Sequence, residues 1–144
     1  MKIYLDNCCF NRPFDDQSQI KIRLETEAKL FIQSGIYSNE IELAWSYILD
    51  YENECNPFEE RKNSIKKWKD LAVTDIEETE WIINKARFIM ELGIKSKDAL
   101  HVACAIALKC NYFLTTDELL IKKLENFQEI AVINPLHFIS LKEE

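Results

Sequence analysis

Four of the 25 acidic residues stand out by position: Asp6, Glu52, Asp98 and Asp117. Asp6 closes the apolar run Ile3-Tyr4-Leu5, and Asp117 follows Tyr112-Phe113-Leu114 after two threonines. Short apolar runs of this kind read as buried strands. In open parallel sheets, ligands bind at the carboxyl edge near a topological switch point. The local alternatives are a loop cap for Asp6 and a helix start for Asp117. Asp98 opens the most apolar stretch of the chain, where a helix dipole alone would favour a carboxylate. Glu52 is the most informative. Projected at 100° per residue, Trp45, Ile48, Leu49 and Cys55 share a face with Glu52 in its middle, while Asp50 points away. A carboxylate on an inward stripe is costly unless paired or metal-bound. No lysine or arginine lies within a helical turn of it, which favours a metal over a salt bridge.

Four carboxylates at one sheet edge repel one another, and their pKa values rise unless a cation joins them. Hard oxygen donors select Mg²⁺ or Mn²⁺ over zinc or copper. Such an ion can activate water and neutralise charge growing on a phosphodiester. Phosphate-ester hydrolysis is the chemistry these residues point to.

The elements that must carry them alternate. Strands are expected at Ile3–Leu5, Ile41–Trp45, Tyr112–Leu114 and Ile130–Ile133. A helix is expected over Ile20–Gly35, with Ile20, Leu24, Ala28, Phe31 and Gly35 inward at helical spacing. Asn11–Asp16 reads as a loop, and Ser46 as the N-cap of a short helix ending before Asn56-Pro57. A charged helix is expected over Phe58–Asp70, followed by the short apolar Leu71-Ala72-Val73. Another helix runs from Glu77 to Leu92, with Gly93 as its left-handed C-terminal residue. Ser96 is expected to cap the helix Asp98–Lys109, and Asp117–Asn126 is the last one read. Strands separated by helices imply right-handed crossovers. The fold class is therefore α/β: a three-layer sandwich around a parallel sheet of four to five strands.

Composition narrows the classes further. A chain of 144 residues with 47% hydrophobic content suits one domain, residues 1–144, able to bury its own core. The longest apolar stretch, Ala99–Leu108, is too short to span a bilayer and contains His101, so no membrane association is expected. Met1-Lys2 leads straight into the first expected strand, so no signal peptide is expected. Five cysteines, an odd number without CxxC spacing, read as free thiols in a reducing compartment; the expected location is cytoplasmic. A net charge of −7 disfavours a protein that coats nucleic acid through bulk charge. It leaves open an enzyme whose cation brings the positive charge.

Taken in order, Tyr4-Leu5-Asp6-Asn7, the helix from Ser46 through Glu52, Lys97-Asp98-Ala99-Leu100-His101 and Phe113-Leu114-Thr115-Thr116-Asp117 resemble the PIN-domain nucleases over nearly the whole chain. The resemblance implies an endoribonuclease with a central parallel sheet and an acidic cluster binding Mg²⁺ or Mn²⁺. Asp6, Glu52, Asp98 and Asp117 occupy the cluster positions, and Thr115 that of a supporting hydroxyl. Many small members are toxins of VapBC-type toxin–antitoxin pairs, which dimerise and are inhibited by an antitoxin that covers the site. Asn7, where a small Ser or Thr often stands, and the Asn11-Arg12-Pro13-Phe14 loop depart from that pattern.

Weaker signals are weighed against plainer roles. His101, one turn after Asp98, reads as a helix-packing residue rather than a catalytic one. Arg12, Lys95 and Lys97 lie nearest the site and are the candidates for binding RNA phosphates. Cys8 and Cys9 lack a base nearby in sequence, so nucleophilic catalysis is not expected. Ile22 and Ile36 lie off the first long helix's stripe, and Trp81, Phe88 and Leu92 beside the stripe Ile82, Ala86 and Ile89. This surplus favours a homodimer or another protein partner. The rival to the RNA-cleaving reading is a protein-interaction module on the same fold. A phosphatase or receiver domain ranks last, because the first strand is not followed by Asp-x-Asp and no lysine follows Phe113-Leu114.

Overall fold

The central strand fixes the architecture. In the computed structural model, which describes residues 1–142, Ile3, Tyr4 and Leu5 of β1 (Lys2–Leu5) are all fully buried. A strand buried on both faces belongs in the middle of a covered parallel sheet. β1 pairs in parallel with β2 (Glu42–Ser46) through Ile3 and Leu43, and with β4 (Tyr112–Leu114) through Tyr4 and Phe113. β3 (Thr74–Ile76) extends the sheet beyond β2, and β5 (Ala131–Ile133) beyond β4. The order is β3-β2-β1-β4-β5, all parallel. The chain builds outward from β1 on one side and then crosses to the other. The switch point therefore lies at the carboxyl end of β1.

Eight helices connect and flank the strands among the described residues: α1 (Asn7–Asn11), α2 (Ile20–Tyr37), α3 (Tyr47–Glu54), α4 (Glu59–Lys69), α5 (Glu80–Met90), α6 (Ser96–Ala107), α7 (Glu118–Lys123) and α8 (Pro135–Lys142). α6 is the most deeply set, with Ala99 and Val102 through Ala105 all fully buried, and it packs closely along α5. Ser46 caps α3 as expected, its Oγ accepting from Leu49 N at 3.4 Å. Gly93 takes φ +89 after α5, the left-handed geometry that glycine adopts without steric cost.

Several boundaries differ from the sequence reading. The edge strand is the polar Thr74-Asp75-Ile76 rather than a continuation of the apolar residues before it. Arg12–Phe14, expected as loop, form a 3₁₀ turn. Ser96 is the first helical residue of α6, so the N-cap position falls to Lys95, which makes no side-chain cap. Pro135 opens α8, a position suited to proline because no intrahelical N–H is needed there.

The largest correction concerns α2. Its buried residues are Glu25, Ala28, Lys29, Ile32 and Ile36, whereas Ile20, Leu24 and Phe31 are exposed. The inward face is thus rotated from the one expected and carries two charged side chains. Lys29 sits between the rings of Phe10 and Trp68 and donates from Nζ to the Phe10 carbonyl at 3.1 Å. Burial lowers its pKa to about 8. Below that value lysine is charged in both folded and unfolded chains, and the cost of burying the charge is paid in full. Between about 8 and the ordinary 10.5 the folded protein gives up its proton first, and the cost fades. The stability advantage of Lys29→Met over wild type is expected to shrink by on the order of 2 kcal/mol from about pH 7 to about pH 10. Urea melts of both proteins across that range measure it, and a constant difference would contradict the buried charge.

Candidate active site

Asp6 leaves β1 with its own N–H donating to the Leu114 carbonyl at 2.9 Å, which pins it between β1 and β4. Its Oδ1 accepts from Asn7 N at 2.8 Å, capping α1, and its Oδ2 accepts from Thr115 Oγ1 at 2.8 Å. The same Thr115 oxygen accepts from Asp117 N at 3.1 Å. One hydroxyl thus stitches the end of β1 to the start of α7. Thr115 is fully buried, Asp6 nearly so, and Asp117 exposed. Asp117 Oδ1 caps α7 by accepting from Leu119 N and Leu120 N at 3.0 and 3.2 Å.

Asp98 lies in the first turn of α6, half-buried, and with Asp117, Lys95 and Lys123 lines a cleft of about 60 Å³. Its pKa is raised, first by burial and then by the charges of Asp6 and Asp117, with a smaller contribution from Glu52. His101 acts in the opposite direction. The four expected carboxylates therefore share one electrostatic neighbourhood.

Glu52, partly buried on α3, contacts the imidazole Nε2 of His101 through Oε1. His101 is 1% exposed, and the same nitrogen lies 4.0 Å from Asp6 Oδ1. The ring is thus part of the site and not only helix packing. Two signals for it were present in the sequence: a histidine one turn after Asp98, and a Glu52 with no local basic partner. Their separation by 49 positions in the chain hides the connection. Cys8 also belongs here, with Sγ 3.6 Å from Asp6 Oδ2 and 3.4 Å from Thr115 Oγ1.

The basic candidates divide. Lys95 is exposed on the cleft beside Asp98 and Asp117. Lys97 is exposed, with its ammonium 5.6 Å from the Tyr51 ring centre. Arg12 is partly buried, with its guanidinium paired to Glu25 at 3.0 Å and Asp15 at 3.0 Å.

Among the described residues, no three Asp, Glu, His or Cys side chains are gathered tightly enough to hold an ion by themselves. The donor set is nonetheless hard, and the buried Asn7 Oδ1 beside Asp6 has no hydrogen-bond partner among those residues. That chemistry fits a cation that keeps most of its water, as Mg²⁺ does, better than one enclosed in a protein cage.

No family model matches the chain, and no curated protein does. Solved structures do. FitAcB from Neisseria gonorrhoeae superposes with a TM-score of 0.62 at 17% identity, covering 94% of this chain and 99% of that one. The fold is PIN-like. VapBC2 from Rickettsia felis, bound to a DNA fragment from its promoter, gives 0.55 at 16% identity over 93% of this chain and 98% of that one. VapBC-1 from nontypeable Haemophilus influenzae gives 0.56 at 14%, over 94% and 99%. Identities this low carry the fold and its topology. No helix among the described residues is long and apolar enough to cross a membrane.

Proposed function

We propose that this PIN-like chain is a metal-dependent endoribonuclease and the toxin of a toxin–antitoxin pair. The observation that carries the reading is the linkage of Asp6, Glu52, Asp98 and Asp117 near the switch point: Thr115 joins Asp6 to Asp117, Asp98 lines a cleft with Asp117, and Glu52 and Asp6 both face His101. A bound Mg²⁺ or Mn²⁺ would supply charge neutralisation for a phosphodiester and a more acidic water. Asp6, Glu52, Asp98 and Asp117 are the residues that would hold it, directly or through its water shell. Thr115 keeps Asp6 and Asp117 in register, and Lys95 and Lys97 at the rim supply positive charge for RNA phosphates. Asp98, half-buried on the cleft beside Asp117, would take a proton from the attacking water.

Exposed Ile20, Leu24, Leu30 and Phe31 on α2, with Trp81 and Phe88 on α5 and Leu92 in the turn after it, give this small surface more apolar area than a solitary monomer needs. They support a homodimer, an antitoxin contact or both. The rival reading, a protein-interaction module, draws on the same surface and on the loosely gathered donors.

Purified protein is expected to cut total cellular RNA with Mg²⁺ or Mn²⁺ and to leave it intact with EDTA, with the ends mapped by sequencing. The same preparation is expected to sediment above 17.0 kDa. RNA left intact under both metals would favour the interaction module.

A further inference from the structure

Behind Glu52 runs a line of buried hydrogen bonds that the carboxylates alone do not require. Ser46 Oγ lies 2.6 Å from Tyr4 Oη, and Tyr4 Oη lies 2.6 Å from His101 Nδ1. His101 Nε2 then meets Glu52 Oε1. Ser46 and Tyr4 are fully buried and His101 is 1% exposed, so water does not stand in for a missing partner.

The hydrogens in this line can be placed from its ends. A carboxylate only accepts, so the hydrogen on the Glu52 side belongs to Nε2. With Nε2 carrying it, a neutral ring presents Nδ1 as an acceptor, and Tyr4 O–H is the donor that fills it. The Tyr4 oxygen is then free to accept from Ser46 O–H, while Ser46 Oγ accepts from Leu49 N at 3.4 Å. In the opposite arrangement the ring is charged, Nδ1–H donates to Tyr4, and Tyr4 donates to Ser46. The Ser46 oxygen then accepts from both Tyr4 and Leu49 N, and its own hydrogen has no acceptor in the hydrogen bonds of the described residues.

We propose that His101 is a positioning residue for Glu52. Tyr4 from β1 and Ser46 from the end of β2 fix its imidazole in the Nε2–H form. That N–H holds one oxygen of Glu52 and leaves the other for the cation. The inference rests on reading Glu52 as a cation ligand. Its structural content is that the strand ends orient a ligand borne on a neighbouring helix, through a ring on a third element. Groups that hold a ligating side chain in this way commonly tune metal affinity.

The chain has only two histidines, so His137→Asn leaves His101 as the one imidazole to observe. ¹⁵N spectra of that metal-free protein at neutral pH are expected to show a protonated Nε2 and a bare Nδ1. Tyr4→Phe removes one hydroxyl while keeping the ring stacked on Phe113. It is expected to mix the tautomers and to weaken Mn²⁺ binding, measured by electron paramagnetic resonance, by about 10-fold. His101→Leu should lose about 10- to 100-fold. His101→Gln, whose amide nitrogen can donate where Nε2 does, should stay within about threefold of wild type. A protonated Nδ1 in the first spectrum, or unchanged Mn²⁺ affinity in Tyr4→Phe, would overturn the proposal. If His101→Leu does not fold, the spectrum and Tyr4→Phe still decide it. A wild type that binds no Mn²⁺ would count against the metal reading, and the metal-free spectrum would still decide the direction of the hydrogen bonds.

Discussion

Asp98→Asn is expected to lower metal-dependent RNA cleavage by about 100-fold or more while making the protein harder to melt. The two effects share one cause. Asp98 is half-buried and repelled by Asp6 and Asp117, which is why it holds its proton above the ordinary carboxylate range. For an acid raised in the folded state, stability is full below the unfolded pKa and is lost as pH rises through the folded one. Asparagine keeps the shape and stays neutral, so it retains at pH 7 the stability that wild type shows only in acid. A rise in Tm of about 2–4 °C at pH 7 is expected, fading as pH falls and the wild-type carboxyl takes up its proton. Cleavage is lost because a cation ligand and a proton acceptor go together. Asp6→Asn is expected to lose cleavage equally, without the gain in Tm. Both Asp6 oxygens already accept hydrogen bonds, from Asn7 N and Thr115 Oγ1, and an amide nitrogen cannot accept at one of them. Wild-type turnover in a folded Asp98→Asn protein would remove Asp98 from the active site.

What could be read in advance, and what could not, follows from how local each signal is. Strands β1 and β4, interior to the sheet, show as apolar runs because they are buried, and the edge strand β5 shows because Val132 still packs into the core. Asp6 and Asp117 are then legible as the residues just past two of those runs. Glu52 is legible because helical geometry alone puts it among Ile48 and Leu49. β3 escaped because an edge strand has one solvated side and carries Thr74 and Asp75. The buried face of α2 was misread for a different reason. Its inward positions include Glu25 and Lys29, which no hydrophobic pattern would choose. They are tolerated because Arg12, Asn134 and the Phe10 carbonyl meet them in space, and none of these is within a helical turn. His101 was underweighted for the same reason, its partners Glu52 and Tyr4 being 49 and 97 residues away. Partnered buried polar groups are specified by tertiary structure, both in the line behind Glu52 and on the inner face of α2.

Glu25 is the residue whose loss is expected to cost the fold most. Its carboxylate is fully buried, accepting from Arg12 Nε at 3.0 Å and from Asn134 Nδ2 at 2.6 Å. It joins the turn after α1, the middle of the sequence's longest helix and the loop that enters α8. Glu25→Leu would fill the space but leave the Asn134 amide and part of the Arg12 guanidinium without an acceptor. Breaking a buried pair from one side costs about 3–5 kcal/mol, and Arg12's partial exposure and its second partner Asp15 place this case near 3 kcal/mol. A fall in Tm of about 10 °C is expected from thermal unfolding. Arg12→Met should cost a similar amount, because it leaves a carboxylate buried with one neutral partner. The double variant should lose less than the sum by about 1–3 kcal/mol, since each change removes the group the other strands. The same proteins settle the role of Arg12. Cleavage per folded molecule in Arg12→Met should match wild type, because the guanidinium serves the fold. An Arg12→Met protein with wild-type Tm and weakened RNA binding would reverse that assignment and return the side chain to the phosphate-binding set with Lys95 and Lys97.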